Sequence, residues 1–286
     1  MNGLASETNL DDLRGWVGRE LWVQDPLTPF PARALAAALG REERPAHGDP
    51  LPPARHWLFF LETPQLSDTG VDGHPKRGGF LPPVPLGRRM WAGGRLDVSA
   101  PLVLGKPATR RTIIRSVEAK SGRTGPLVFV TLDHELSQDE RLCVREEQNL
   151  VYRPMPTAAV PLPPGEVAPG NAELSRVFHP DSLLLFRYSA LTYNGHRIHY
   201  DRPYAVAHEF YPALVVQGPL IATLLLDLLR DQLPERRLQT FQFRALRPSF
   251  EGAPLTVNSR RDGNRVHLWS SDAEGRLGMS AIAELA

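Results

Sequence analysis

The densest polar stretch set against an apolar background is Phe186-Arg-Tyr-Ser-Ala-Leu-Thr-Tyr-Asn-Gly-His-Arg-Ile-His-Tyr-Asp-Arg-Pro-Tyr204, and Leu214-Val-Val-Gln-Gly-Pro-Leu220 follows it closely. His199 has the chemistry of a proton shuttle, because an imidazole with an ordinary pKa near 6.5 can take and return a proton at neutral pH. Gly218-Pro219 opens a long apolar run. If that run is a helix, the Gly218 N–H points out of an end whose dipole favours negative charge, with no Cβ in the way and with Pro219 unable to donate. On residue type alone, each feature has a plainer reading. A His between Ile198 and Tyr200 also fits a packed core, Asn194-Gly195 a turn, and Gly218-Pro219 a helix entrance. His196, His199, His208 and Glu209 lack both a His-Glu-x-x-His helix and cysteine partners, so neither a metal nor any other cofactor is expected.

These residues need elements to position them. Pro219–Leu233 is apolar on nearly every face, which predicts a buried helix, with Pro219 suited to its first turn and Pro234 stopping it. A weaker helix is predicted over Pro31–Leu39. After each helix the sequence reads as a meander of strands. In the first half it runs Arg95–Val98, Thr112–Val117, a turn at Ser121–Gly125, Leu127–Leu132 and Leu142–Tyr152. In the second it runs Phe241–Leu246, Leu255–Asn258, an Asp262-Gly263 turn, Val266–Ser271 and Leu277–Leu285. Short turns between strands imply antiparallel sheet. The fold class is therefore α+β, and a sheet wrapped around a helix, present twice, is a double hot dog. Pro and Gly collect in residues 41–55, 64–86 and 153–170, which read as loops. The expected organisation is a first half over residues 1–153, a proline-rich linker over 154–171 and a second half over 172–286.

The chain has 286 residues, 42% of them hydrophobic and 23% charged, as expected for a folded soluble protein. Lys plus Arg at 33 against Asp plus Glu at 32 gives a net charge of +1, without the basic excess that nucleic-acid binding requires. One cysteine, Cys143, rules out an intrachain disulfide and fits a reducing cytoplasm. The acidic N-terminus does not resemble a signal peptide, and no run approaches the roughly 18 apolar residues of a membrane span.

The Tyr188–Asp201 segment resembles the hydratase signature of MaoC-like enzymes, in which an acid is followed five positions later by a His. Asn194 stands where the acid would be and His199 where the His would be. That wording is similar to one branch, the mesaconyl-C4-CoA and itaconyl-CoA hydratases and the mitochondrial 3-hydroxyacyl-thioester dehydratases. Arg88-Arg89-Met-Trp-Ala-Gly-Gly94 resembles their degenerate N-terminal hot dog. The resemblance implies reversible hydration of a 2-enoyl thioester, with itaconyl-CoA or mesaconyl-C4-CoA giving citramalyl-CoA. A fatty-acyl dehydratase and a non-catalytic thioester-binding module are the alternatives. It also implies His199 as base, Asn194 as the group orienting water and Gly218 as the oxyanion donor. The substrate-binding set is His196, Arg197, Arg88, Arg89, Trp91, Gly93 and Gln217, with Arg88 or Arg89 ranked above Arg197 for a substrate carboxylate. The implied partner is an acyl-CoA, with a homodimer open.

Overall fold

The computed structural model describes residues 10–122 and 125–286. The acidic N-terminus and the centre of the expected Ser121–Gly125 turn lie outside the described residues. A short helix, α1 (Leu10–Arg14), precedes β1 (Glu20–Asp25), α2 (Pro29–Ala38), β2 (Arg88–Val98), β3 (Ala108–Gly122), β4 (Gly125–Gln138) and β5 (Arg141–Arg153). The second half brings β6 (Leu174–Phe178), α3 (Ser182–Leu191), α4 (Arg202–Ala207), α5 (Gly218–Gln232), β7 (Leu238–Ala245), β8 (Leu255–Asp262), β9 (Arg265–Ser271) and β10 (Leu277–Leu285).

The ten strands form one antiparallel sheet in the order β1-β3-β4-β5-β2-β7-β10-β9-β8-β6. Each half contributes the same order, edge strand outward and β2 or β7 inward, and the two meet where β2 pairs with β7. This is a double hot dog. The seam needs glycine. A Cβ on Gly93 would lie 2.4 Å from the Phe243 carbonyl oxygen, and one on Gly94 would lie 2.3 Å from that of Glu147. Both distances are too short for any side chain, and a bulge between Trp91 and Gly93 accompanies the approach.

The helices of the two halves are unequal. α5 is buried over ten successive residues, Leu220 to Leu229, and packs against β8 and β9. Each fully buried leucine there contributes roughly 1.5–3 kcal/mol. α2 forms at the expected place, but it follows β1 across residues 26–28 just as α3 follows β6 across residues 179–181. Its chain position is that of α3, against which it packs. In the first half the hollow facing the sheet is filled instead by Leu51, Ala54, Leu58, Phe59 and Phe60, which join the core that surrounds α5. The polar break in α5 has a partner. Asp227, 4% exposed, receives two hydrogen bonds from Arg55 Nη2, at 2.9 and 2.7 Å, and so ties the first half to the central helix.

Residues 154–171 contain no helix or strand, and they are fastened to the second half. Ala168 N–H donates to the Gly275 carbonyl and Leu277 N–H to that of Glu166, each at 2.8 Å. No helix of the described residues is long and apolar enough to cross a membrane.

Candidate active site

His199 ends a 3-10 turn, Arg197–His199, whose Ile198 anchors it in the core. Its ring Nδ1 lies 2.7 Å from the Val215 carbonyl oxygen. A carbonyl can only accept, so Nδ1 carries the proton and Nε2 presents a lone pair. The side chain is 7% exposed. Burial, with the neighbouring His196 adding to it, lowers the His199 pKa to about 3. An ordinary value near 6.5 was the expectation from sequence. In the fold, the imidazole is a neutral base across the whole physiological range.

Asn194 follows Tyr193, whose φ of 49° is left-handed. Its Oδ1 accepts the His196 N–H at 3.0 Å, so the turn-forming role is real and occupies the amide oxygen. The NH2 is left to meet a ligand. His196 is buried and stands edge-on to His199, ring centroids 5.5 Å apart. Its Nε2 meets Glu209 Oε1 at 2.9 Å. The other oxygen of Glu209 accepts from Arg88 Nε at 2.9 Å, while Arg88 Nη2 reaches the Glu209 backbone carbonyl at 2.6 Å. Glu209 is 2% exposed and balances Arg88 inside the protein.

Gly218 begins α5 three residues after Val215, and a Cβ placed on it would meet no atom within 4 Å. The helix N-terminus therefore opens onto free space, with an N–H available to an anionic oxygen. Gln217, 1% exposed, gives its NH2 to the Leu185 carbonyl at 2.9 Å and to Ser189 Oγ at 3.0 Å. Its role is to lock α3 to the start of α5.

Several expected binding residues are engaged elsewhere. Arg88 is committed to Glu209, as above. Arg197 Nε and Nη2 grip Asp201 Oδ2 at 2.9 and 2.7 Å, and its Nη1 donates to the Val71 carbonyl at 3.0 Å. It acts as a staple between two loops. Trp91 bonds to the Gly93 carbonyl and packs against Trp57 and Phe243, and Gly93 belongs to the seam. Arg89 differs: it is half-buried and has no hydrogen-bond or ion-pair partner among the described residues.

The site also contains residues that sequence reasoning passed over. The loop at residues 69–76 comes from a proline- and glycine-rich stretch of the first half, and it lies on the 194–199 turn. Arg197 N–H donates to the Asp72 carbonyl at 2.9 Å, and a Cβ on Gly73 would fall 1.8 Å from the Gly195 carbonyl oxygen. His74 packs against His196 with centroids 4.2 Å apart and the rings tilted by 39°, and its Nδ1 meets Asp72 Oδ2 at 3.0 Å. Ligand-type atoms of Asp72, His74 and His196 lie within 4.8 Å of one another. Each imidazole already pairs with a carboxylate, so the set reads as two neighbouring His–carboxylate couples, of which the His196–Glu209 couple adjoins His199. Asp-Gly-His at 72–74 was the only sequence signal that could have pointed here.

The profile of the family "Hydroxyacyl-thioester dehydratase type 2" matches residues 54–251. The chain is 46% identical over 276 residues to the mesaconyl-C(4)-CoA hydratase of Chloroflexus aurantiacus, covering 96% of this chain and 98% of that one. It is 30% identical over 244 residues to the mitochondrial hydroxyacyl-thioester dehydratase type 2 of Schizosaccharomyces pombe, covering 77% and 80%. Among solved structures, a MaoC-like dehydratase from Phytophthora capsici aligns with TM-score 0.69 at 12% identity, covering 98% of each chain. A Mycobacterium tuberculosis protein described as a double hot dog aligns with TM-score 0.55 at 15% identity, covering 97% and 98%. The profile match over most of the chain and the near full-length relative agree with the fold, and the chain belongs to the hydroxyacyl-thioester dehydratase type 2 family.

Proposed function

We propose that the protein is a hydro-lyase that adds water reversibly to a short unsaturated acyl-CoA bearing a second carboxylate, with the 2-enoyl thioester mesaconyl-C4-CoA or its 3-enoyl isomer itaconyl-CoA as substrate and citramalyl-CoA as product. The observation that carries this reading is a neutral, oriented His199 whose Nδ1 partner, Val215, leads directly into the open helix N-terminus at Gly218. The near full-length relationship to a mesaconyl-C4-CoA hydratase supports the choice of substrate.

In the hydration of mesaconyl-C4-CoA, the Asn194 NH2 holds the water and His199 Nε2 takes one of its protons. The hydroxide oxygen bonds to the β-carbon as the π electrons move through the α-carbon to the thioester oxygen. The Gly218 N–H stabilises that enolate oxygen. The imidazolium then returns its proton to the α-carbon, which restores the neutral base and the thioester carbonyl. One water is consumed and no cofactor is needed. In this reading residues 172–286 form the catalytic half, 154–171 the linker and 1–153 a degenerate half that completes the substrate pocket. Both halves lie in one chain, so a site can form without a homodimer. A cytoplasmic setting agrees with the single, buried, free Cys143.

The second reading, dehydration of a longer (R)-3-hydroxyacyl thioester, is favoured by the family profile and the yeast relative. The test is a panel of mesaconyl-C4-CoA, itaconyl-CoA, crotonyl-CoA and a long-chain 2-enoyl-CoA. Gain of the mass of one water is followed for each, and loss of enoyl absorbance for the three 2-enoyl thioesters. Highest kcat/KM on a dicarboxylic thioester is the expected result. A preference for the long chain would favour the second reading, and no turnover of any thioester would favour a binding module.

A further inference from the structure

The first half's contribution to the site is concentrated in the loop that carries Asp72, Gly73 and His74. The loop belongs to neither meander, yet three contacts hold it on the catalytic turn: Arg197 N–H to the Asp72 carbonyl, Arg197 Nη1 to the Val71 carbonyl, and the van der Waals approach of Gly73 to Gly195. Gly73 has φ +86°, and the adjacent Gly195 carbonyl leaves no room for a side chain. Such a fit fixes the loop closely enough to aim the side chain beyond it.

That side chain is His74. Asp72 also accepts the His74 N–H through Oδ1 at 3.1 Å, so the carboxylate holds both backbone and ring. With Nδ1 facing Asp72, the ring's remaining polar atom is Nε2. The charged and titratable groups acting on the ring are Asp72 from its own loop, His196 from the catalytic turn and Arg89 from β2. Arg89 has no side-chain hydrogen bond or ion pair among the described residues. A guanidinium left half-buried without a counter-ion, beside an imidazole backed by a carboxylate, is a built receptor for an anion. A carboxylate placed there would neutralise the field of Arg89 and let His74 take a proton and donate it through Nε2. Leaving such a carboxylate buried without partners would cost several kcal/mol.

We propose that His74, oriented by Asp72, and Arg89 together receive the carboxylate at the far end of the substrate's acyl group, which makes residues 72–74 and Arg89 the specificity element of the enzyme. The assignment rests on the dicarboxylic thioester reading above. It is consistent with the ring order His74, His196, His199, in which the outermost imidazole lies beyond the one adjoining the base.

The experiment uses the full chain and the variants His74→Gln, Arg89→Gln and Asp72→Asn, each checked for an unchanged melting transition. kcat/KM is measured on mesaconyl-C4-CoA and on crotonyl-CoA. The wild type establishes the reading on which the proposal rests, since failure to turn over the dicarboxylic thioester would remove both. Given that turnover, the ratio of the two kcat/KM values should fall by about 10–10²-fold in His74→Gln and Arg89→Gln, chiefly through KM. It should fall less in Asp72→Asn, which keeps the loop but weakens the orientation of the ring. Ratios within threefold of wild type in both His74→Gln and Arg89→Gln would overturn the assignment. Binding of two unreactive thioesters of the same length, succinyl-CoA and butyryl-CoA, provides a readout independent of catalysis. Loss of the wild-type preference for succinyl-CoA in the variants supports the proposal, and its retention contradicts it.

Discussion

His199 and Val215 are joined by a 2.7 Å hydrogen bond from ring Nδ1–H to backbone carbonyl, and Gly218 lies only three residues further along the same strand of chain. The proposed base and the proposed oxyanion donor therefore share one rigid support. The bond fixes the tautomer, and burial keeps the ring neutral until about pH 3. The expected outcome is a hydration kcat/KM that does not change through titration of this group between about pH 5 and 8. A rise of tenfold per pH unit across that window, tracing to His199 by its loss in a His199 variant, would show that the free enzyme's base titrates near the ordinary value instead.

Gly218→Ala separates stability from catalysis. A Cβ at this position meets no protein atom, and alanine is at least as good a helix former as glycine, so the melting temperature should stay within about 2 °C of wild type. The added methyl occupies the space assigned to the thioester oxygen. kcat/KM should fall by about 10–10³-fold. Full activity in Gly218→Ala would mean the oxyanion is held elsewhere.

Acid should destabilise the fold in a defined window. His134 and His199 have pKa values lowered to about 4 and about 3, in both cases mainly by burial, against an ordinary 6.5. A depressed histidine costs nothing above its unfolded value. Below it, the unfolded chain binds protons that the native state refuses, so stability falls as pH drops from 6.5 toward the folded pKa. Between pH 6.5 and 5 each group should remove up to about 2 kcal/mol. Thermal unfolding followed across pH 5–8 should be flat above pH 7 and fall below 6.5. The ion-paired Asp231, held to about 2 chiefly by Arg41, adds to the loss only below about pH 4.

The pair Arg55–Asp227 connects the first half to α5 with side chains 4% and 6% exposed. Removing Asp227 leaves Arg55 buried without a counter-ion, so Asp227→Ala should cost about 3–5 kcal/mol in urea unfolding. Arg55→Ala should cost less, because Asp227 keeps Arg230 Nη2 at 3.3 Å. A double variant that replaces both with apolar residues should recover part of that loss. If the single variants unfold within 1 kcal/mol of wild type, each remaining charge is already solvated in the native state.

The second half was legible in the sequence because its signals are local. The apolar run from Leu220 marks α5 to within a residue or two, and β10 has the expected bounds, Leu277–Leu285. His199 lies in the short turn marked as a candidate from its local wording, and Gly218 opens the helix that the apolar run predicts. What was not legible depends on tertiary contact. The edge strands β1 and β6 alternate only between exposed and half-buried positions, with no fully buried residue to mark them, and β2 begins seven residues before its expected start. Arg88 reads as a free cation until Glu209, 121 residues away, closes on it. Asp72 and His74 sit in a stretch whose proline and glycine content signals a loop correctly and conceals what the loop touches. The central helix of the second half also has no equal in the first. Leu51 to Phe60 fill that hollow without helical periodicity, which no sequence pattern announces.

The central claim is that His199 moves the proton in adding water to a dicarboxylic enoyl thioester, and the most direct measurement is the rate of enoyl absorbance loss from mesaconyl-C4-CoA by wild type and by His199→Ala at pH 7. The account predicts turnover by the wild type, with water gained in the product. It also predicts a 10²–10⁴-fold lower kcat in the variant, with its melting transition preserved, since alanine fits within the space of the ring. Wild-type turnover matched by a folded His199→Ala enzyme would contradict it.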